Sequence, residues 1–179
     1  MPEAAVVVRQ VAALDAPLID ALAALTIDCV DGGASIGFMW PLSHDSARSF
    51  WLRVADAAAA GRRALLVAED AAGLVGTVQL VIEMPANQPH RADLAKLQVH
   101  RRARRLGVGA ALVRAAEQLA IAHGRTLLVL DTITGSDADR LYTRLGWQRC
   151  GEVPDYALMP RGGLAPTTFF YRRLPHSPA

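Results

Sequence analysis

Arg104-Arg105-Leu106-Gly107-Val108-Gly109-Ala110-Ala111-Leu112 is the stretch on which the fold turns. It leads from a strand-like run, ADLAKLQV (residues 92–99), into a helix-like run that stops at Gly124. Successive amide groups at a helix start form an anion nest, the helix dipole adds positive potential, and glycine lets the backbone approach phosphate oxygens closely. The loop therefore predicts a pyrophosphate site. Neither common phosphate fingerprint fits, since Leu112 stands where a dinucleotide loop needs its third glycine and no Gly-Lys-Ser/Thr exists for a Walker loop.

Outward from the loop, the chain alternates cleanly. AVVVRQ, from the Ala5 region to Gln10, is a β-branched strand, and Asp15 caps a helix with Pro17 in its first turn. The glycine-rich segment 31–42, DGGASIGFMWPL, separates it from a second helix that Ser43 opens and that runs to Gly61. RALLVAED and LVGTVQLVIEM form a hairpin across AAG, PANQPHR is a loop, and TLLVLD is a buried strand ending at Asp131. Ser136 caps DADRLYTRLG, which Gly146 ends, and WQRCGEV and TTFFYRRL are strands around a Pro/Gly-rich excursion over 154–166. The predicted order, β-α-α-β-β-β-α-β-α-β-β, belongs to the α/β class with an α+β mixed sheet.

With 179 residues, 52% hydrophobic and 20% charged, the sequence predicts one domain over residues 1–179 and excludes disorder. Of the 19 Lys+Arg residues all but Lys96 are arginine, and Lys96 itself is given no particular role. A net charge of +2 is too slight for nucleic acid, but Arg101, Arg102, Arg104 and Arg105 crowd at the loop, which directs the excess toward a polyphosphate. Cys29 and Cys150 form neither a disulfide framework nor a CxxC motif, and no apolar run reaches membrane length; a cytoplasmic protein with no membrane partner is expected. His44, His90, His100, His123 and His176 show no metal-ligand spacing, so no metal is expected. Gly33-Ala34-Ser35-Ile36-Gly37 spells G-x-S-x-G, but a helix precedes it where a hydrolase elbow needs a strand. The segment is read instead as an acceptor-side loop, with Gly33 and Ser35 giving close backbone approach and Phe38, Met39 and Trp40 an apolar wall.

Arg104 to Gly109 matches the pattern Gln/Arg-x-x-Gly-x-Gly/Ala and resembles the pyrophosphate loop of the GNAT acetyltransferases. The resemblance continues in Ala138, Leu141, Tyr142, Leu145, Gly146 and Trp147, spaced as in Ala-x-x-Leu-Tyr-x-x-Leu-Gly-Phe. GGASIGFM, RADLAKLQV, LDT with GS, and GEVPDY are similar to the tabtoxin-resistance acetyltransferase subgroup, with Asp93 where that subgroup has glutamate and Arg105 where the family commonly has glycine. The resemblance implies a GNAT fold, acetyl-CoA as cofactor and a small-molecule amine as acceptor, plausibly an amino-acid-like toxin such as tabtoxinine-β-lactam. Acetylation of another metabolite amine or a polyamine stays open, as do a coenzyme A-binding module without turnover and a homo-oligomeric state.

Acetyl transfer to an amine needs a deprotonated amine, a polarised carbonyl and a proton for the thiolate. In this fold the two strands bearing Asp93 and Asp131 splay apart to admit the pantetheine arm, and the resemblance makes both carboxylates candidate bases. Tyr142, a phenol of pKa ~10 facing a thiolate of pKa ~8.5, is the candidate acid. The backbone of Leu97, Gln98 and Val99 would hold the carbonyl and run beside the pantetheine amides. Arg104, Arg105, Leu106, Gly107, Val108, Gly109 and Ala110, with Ser136, complete the expected cofactor site.

Overall fold

Helix α1 (Ala16–Asp31) begins where Asp15 accepts a hydrogen bond from the Leu18 amide at 3.0 Å, and α2 (His44–Ala59) begins where Ser43 accepts one from Ser46 at 3.2 Å. Each cap satisfies an amide that the helix itself cannot. Helix α3 (Val108–Ala122) has no side-chain cap, only Gly107 at φ 80°, and α4 (Asp137–Arg144) is capped by Ser136, which accepts from the Asp139 amide at 3.1 Å. The computed structural model describes residues 6–175, so Ala5 of the expected first strand and His176 lie outside the described residues.

Around these helices run β1 (Val7–Gln10), β2 (Arg63–Asp70), β3 (Gly73–Val81), β4 (Arg91–Val99), β5 (Leu127–Ile133), β6 (Gln148–Leu158) and β7 (Leu164–Arg173). They form one sheet in the order β1-β2-β3-β4-β5-β7-β6, antiparallel except between β4 and β5. The element order is the predicted one, and no helix among the described residues is long and apolar enough to cross a membrane. Helix α3 packs on one face of the sheet through Leu112, Val113 and Ala116, while α1 and α2 cover the other through Leu22, Trp51 and Val54 against Leu65 and Val67.

One expectation needs correction. The Pro/Gly-rich excursion over 154–166 is mostly strand, because β6 continues through Pro154 to Leu158 and β7 starts at Leu164. β6 is the outermost strand, where proline's missing N–H deprives no neighbour. The register jumps from Val153 opposite Thr167 to Ala157 opposite Ala165, and Asp155 takes up the surplus backbone at φ 52°.

A buried polar junction joins α1, α2 and β4. The Trp51 indole N–H donates to the Thr26 hydroxyl at 2.9 Å, and that hydroxyl lies 2.9 Å from both the Leu22 carbonyl and Gln98 Oε1. Thr26, Trp51 and Gln98 are all at most 2% exposed, so lost bonds there cannot be replaced by water. Replacing Thr26 by Val should destabilise the protein by about 2–3 kcal/mol, a fall in Tm of about 5–10 °C, whereas Thr26→Ser should lose less than half of that. Thermal and urea unfolding of the two variants check it; a loss in Thr26→Ser as large as that in Thr26→Val would show that the methyl group contributes as much as the hydroxyl.

Candidate active site

The parallel pairing of β4 with β5 lasts only from Arg91–Leu127 to Asp93–Val129. Beyond it the two strands part, and a cleft of about 1850 Å³ opens between them. It is lined by the α1–α2 loop, the loop before α3, and α4.

The register places the side chains. Arg63, Val81, Asp93 and Val129 form one row across β2, β3, β4 and β5, so all four leave on the face covered by α1 and α2. Leu65, Gln79 and Ala95 form the next row, with Asp131 two residues beyond Val129 on the same face. Asp93 and Asp131 therefore enter the cleft from the same side. Asp93 is held by an ion pair with Arg91. Desolvation by the cleft walls pushes its carboxyl above the ordinary carboxylate range, Arg91 opposes that, and Asp131 adds to it. Asp131 is pushed up chiefly by desolvation, with Lys96 opposing; water reaches it, but the concave protein around it replaces much of its hydration.

Lys96, to which the sequence assigned no role, stands in this cleft. Residues 96 and 97 oppose Val78 together, a β-bulge in which Lys96 adopts φ 53°. Its ammonium lies against the α1–α2 loop, where a Cβ on Gly37 would come within 2.9 Å of Nζ. Burial lowers its pKa, Asp131 opposes that, and Arg63 reinforces it. A positive-φ bulge on a strand leaves no mark in apolar periodicity, so nothing in the alternation of ADLAKLQV singled this residue out.

Tyr142 on α4 is 4% exposed, packed between Trp147 and Phe170 with ring centroids 5.5 and 6.0 Å away, and it lines the cleft. Desolvation, then the nearby Asp131 charge, raises its pKa, so the phenol keeps its proton at any physiological pH. Asp139 shapes the turn before α4 by accepting from the Gly135 amide at 2.7 Å while Arg149 holds it at 2.8 Å. Ser136 lines the cleft from its capping position.

At the other end, the first hydrogen bond of α3 runs from the Ala111 amide to the Gly107 carbonyl at 3.0 Å. The amides of Val108, Gly109 and Ala110 thus have no backbone acceptor among the described residues. This uncapped, glycine-led start with Arg104 and Arg105 on the cleft wall fits a pyrophosphate. Arg105 occupies φ 64°, the conformation that explains why glycine is common at its position. Arg101 and Arg102 do not line the cleft: Arg101 donates to Asp28 at 2.8 Å and Arg102 pairs with Asp70. The expected cluster of four is therefore two structural arginines and two that face the ligand space.

Besides Arg101 and Arg102, the expected site residues that do not line the cleft are Leu106, which is 58% exposed, and Trp40. Trp40 instead fastens the α1–α2 loop to the β6–β7 turn, its amide donating to Pro160 at 2.8 Å and its ring lying 3.9 Å beneath the Arg161 guanidinium. Phe38 and Met39 do line the cleft, Phe38 edge-on to Phe50 at 5.1 Å, with Gly33 and Ser35 on the same wall. The Gln98 side chain is turned into the Thr26 junction, so only its backbone is available to a ligand. Among the described residues no group of three or more His, Cys, Asp or Glu is placed to hold a metal.

The same architecture occurs in an N-acetyltransferase from Staphylococcus aureus Mu50, at 16% identity over 96% of this chain and 99% of that one with a TM-score of 0.78. It also occurs in yncA from Salmonella typhimurium, solved with its cofactor acetyl-CoA, at 18% identity, 97% and 96% coverage and a TM-score of 0.76. A third similar structure, of a proposed phosphinothricin N-acetyltransferase, gives 18% identity, 96% and 100% coverage and a TM-score of 0.75. At such identities the likeness is one of fold. Residues 32–147, which carry the loop before α3, both cleft carboxylates and Tyr142, match the acetyltransferase (GNAT) family, and the chain belongs to that family of acyltransferases, whose acetyl donor is acetyl-CoA.

Proposed function

We propose that the protein, acting as one catalytic unit, acetylates the primary amine of a small, amino-acid-like molecule by direct attack within a ternary complex, and that tabtoxinine-β-lactam represents its acceptor class. The observation that carries this reading is the convergence of Asp131, Asp93 and Tyr142 where β4 and β5 part. The similarity of GGASIGFM, RADLAKLQV and GEVPDY to the tabtoxin-resistance subgroup supports the acceptor class.

Acetyl-CoA supplies an activated acetyl thioester. Arg104, Arg105 and the amides from Leu106 to Ala110 hold its pyrophosphate, with Ser136 at the neighbouring rim. The backbone of Leu97, Gln98 and Val99 would hold the pantetheine, and an amide at the β4 bulge would polarise the acetyl carbonyl. Asp131 takes the proton of the acceptor ammonium, directly or through one water, and Asp93 shares that work under the hold of Arg91. A carboxylate raised above its usual pKa is the stronger base once ionised. Tyr142 gives its proton to the departing sulfur, and the second proton that the nitrogen sheds as the amide forms restores the phenol. Phe38 and Phe50 give the acceptor half an apolar wall.

Saturating acetyl-CoA should raise Tm at micromolar concentration in differential scanning fluorimetry, and no shift at millimolar cofactor would overturn the binding assignment. Tyr142→Phe should lower kcat about 100-fold while moving the KM for acetyl-CoA little, measured by thiol release; an unchanged kcat removes the proton-donor role. Asp131→Asn should lower kcat/KM about 100-fold or more and raise Tm at neutral pH. The sign follows from linkage: a carboxyl whose folded pKa is raised is penalised when ionised, a penalty present above the folded pKa and absent below the unfolded value of ~3.9. The Tm gain of Asp131→Asn should accordingly shrink as the pH falls toward 4.

A further inference from the structure

Two cations face the acceptor half of the cleft without neutralisation by a carboxylate within ion-pair distance among the described residues, Arg63 and Lys96. The surrounding arginines behave differently. Arg91 is paired with Asp93, and Arg62, next in sequence to Arg63, reaches Glu83 at 4.0 Å. Arg63 is instead aimed by a neutral group, donating from Nη1 to Gln79 Oε1 at 2.6 Å. Gln79 is 0% exposed, so it fixes the guanidinium without cancelling its charge. Arg63 and Lys96 also repel one another across the cleft, since the arginine's field helps to drive the proton from the lysine. Two cations held facing a shared space form an oxyanion site, and the row register sets Arg63 on the same face of the sheet as Asp93, two strands away, and Asp131, one strand further.

We propose that Arg63, positioned by Gln79 and assisted by Lys96, receives the carboxylate of the acceptor, so that the substrate class is an α-amino acid rather than a simple amine or polyamine. This rests on the acetyl-transfer reading above. An α-amino acid carries both an ammonium for Asp131 and a carboxylate for Arg63, and the two side chains enter from one face of the sheet, Arg63 reaching inward over β3 to Gln79. A polyamine would set its second ammonium against Arg63, Arg91 and Lys96. The Phe38 and Phe50 wall is left for an apolar side chain. Arg63 is a specificity-determining residue, and Gln79 a positioning one.

The test is steady-state acetylation of a panel of α-amino acids beside their α-carboxamides by the full chain and by Arg63→Met and Arg63→Lys. The carboxamide's amine loses its proton more readily, so intrinsic reactivity favours the amide and any preference for the acid comes from the site. Wild type should prefer acid over amide by roughly 100-fold in kcat/KM. Arg63→Met should abolish that preference through KM, leave amides within about 3-fold and spare the KM for acetyl-CoA, and Arg63→Lys should restore part of it. Equal use of acid and amide by wild type, or equal loss on both in Arg63→Met at unchanged Tm, overturns the proposal while leaving acetyl transfer intact. Calorimetric binding of the N-acetyl amino acids and their amides to the coenzyme A complex separates the two readings. Arg63-dependent binding of the acids without turnover of any acceptor upholds the carboxylate site and overturns the transfer reading; binding that does not distinguish acid from amide overturns the site.

Discussion

Three residue pairs of parallel ladder between β4 and β5, ending at Asp93 and Val129, are the constraint on which the rest of the molecule depends. Past that point each strand remains paired on its outer side, β4 with β3 and β5 with β7, while the inner edges stand open. Backbone donors and acceptors on an interior sheet edge require partners, and a ligand with amides of its own is a suitable one. The fold is thus a sheet short of one strand in its middle. The opening is braced on both faces, by the Thr26 junction beneath α1 and, on the other side, by the Trp147 indole donating to Glu117 at 2.9 Å. Gly76 completes the bracing: a Cβ there would lie 2.9 Å from Leu112 and 3.0 Å from the Gln98 carbonyl, so α3 can press its bare N-terminus against the strands only because the side chain is missing.

Electrostatics divides the opening into unlike halves. Toward the start of α3 the field is positive from Arg104, Arg105 and three orphan amides, the arrangement suited to a multiply charged phosphate. Toward the α1–α2 loop, Asp93 and Asp131 alternate with Arg63, Arg91 and Lys96, and desolvation pushes both carboxyls and the lysine toward neutrality. That half is tuned for moving protons, while the other is tuned for holding charge. The ion pairs Arg101–Asp28 and Arg102–Asp70 belong to neither half; they tie the loop before α3 back to α1 and to the end of β2.

How much of this was legible in the sequence follows from the range of the interactions involved. Element order could be read because caps, turn glycines and apolar periods are local, as Asp15, Ser43, Ser136 and Gly124 show. The anion nest could be read for the same reason. The length of β6 could not, because tolerance of Pro154 depends on the strand being outermost, which only the sheet order decides. Nothing local marks Lys96, because its placement arises from a bulge against β3, or Arg63, because its distinction is the neutrality of its partner Gln79, sixteen residues away. Trp40 was assigned to the acceptor wall on composition, whereas its tether to Pro160 and Arg161 is a contact between segments remote in the chain.

The solitary lysine has a consequence for the chemistry of the whole surface. Guanidinium groups stay protonated and do not acylate, so a chain whose Lys+Arg residues are all arginine but one offers a single side-chain amine to the thioesters it handles. Its one side-chain amine sits in the cleft against Gly37 and not on the outer surface. Amine-directed labelling of the folded chain at a side chain is therefore labelling of the acceptor chamber, and the extent of modification at that position is a built-in measure of whether the chamber is open or filled.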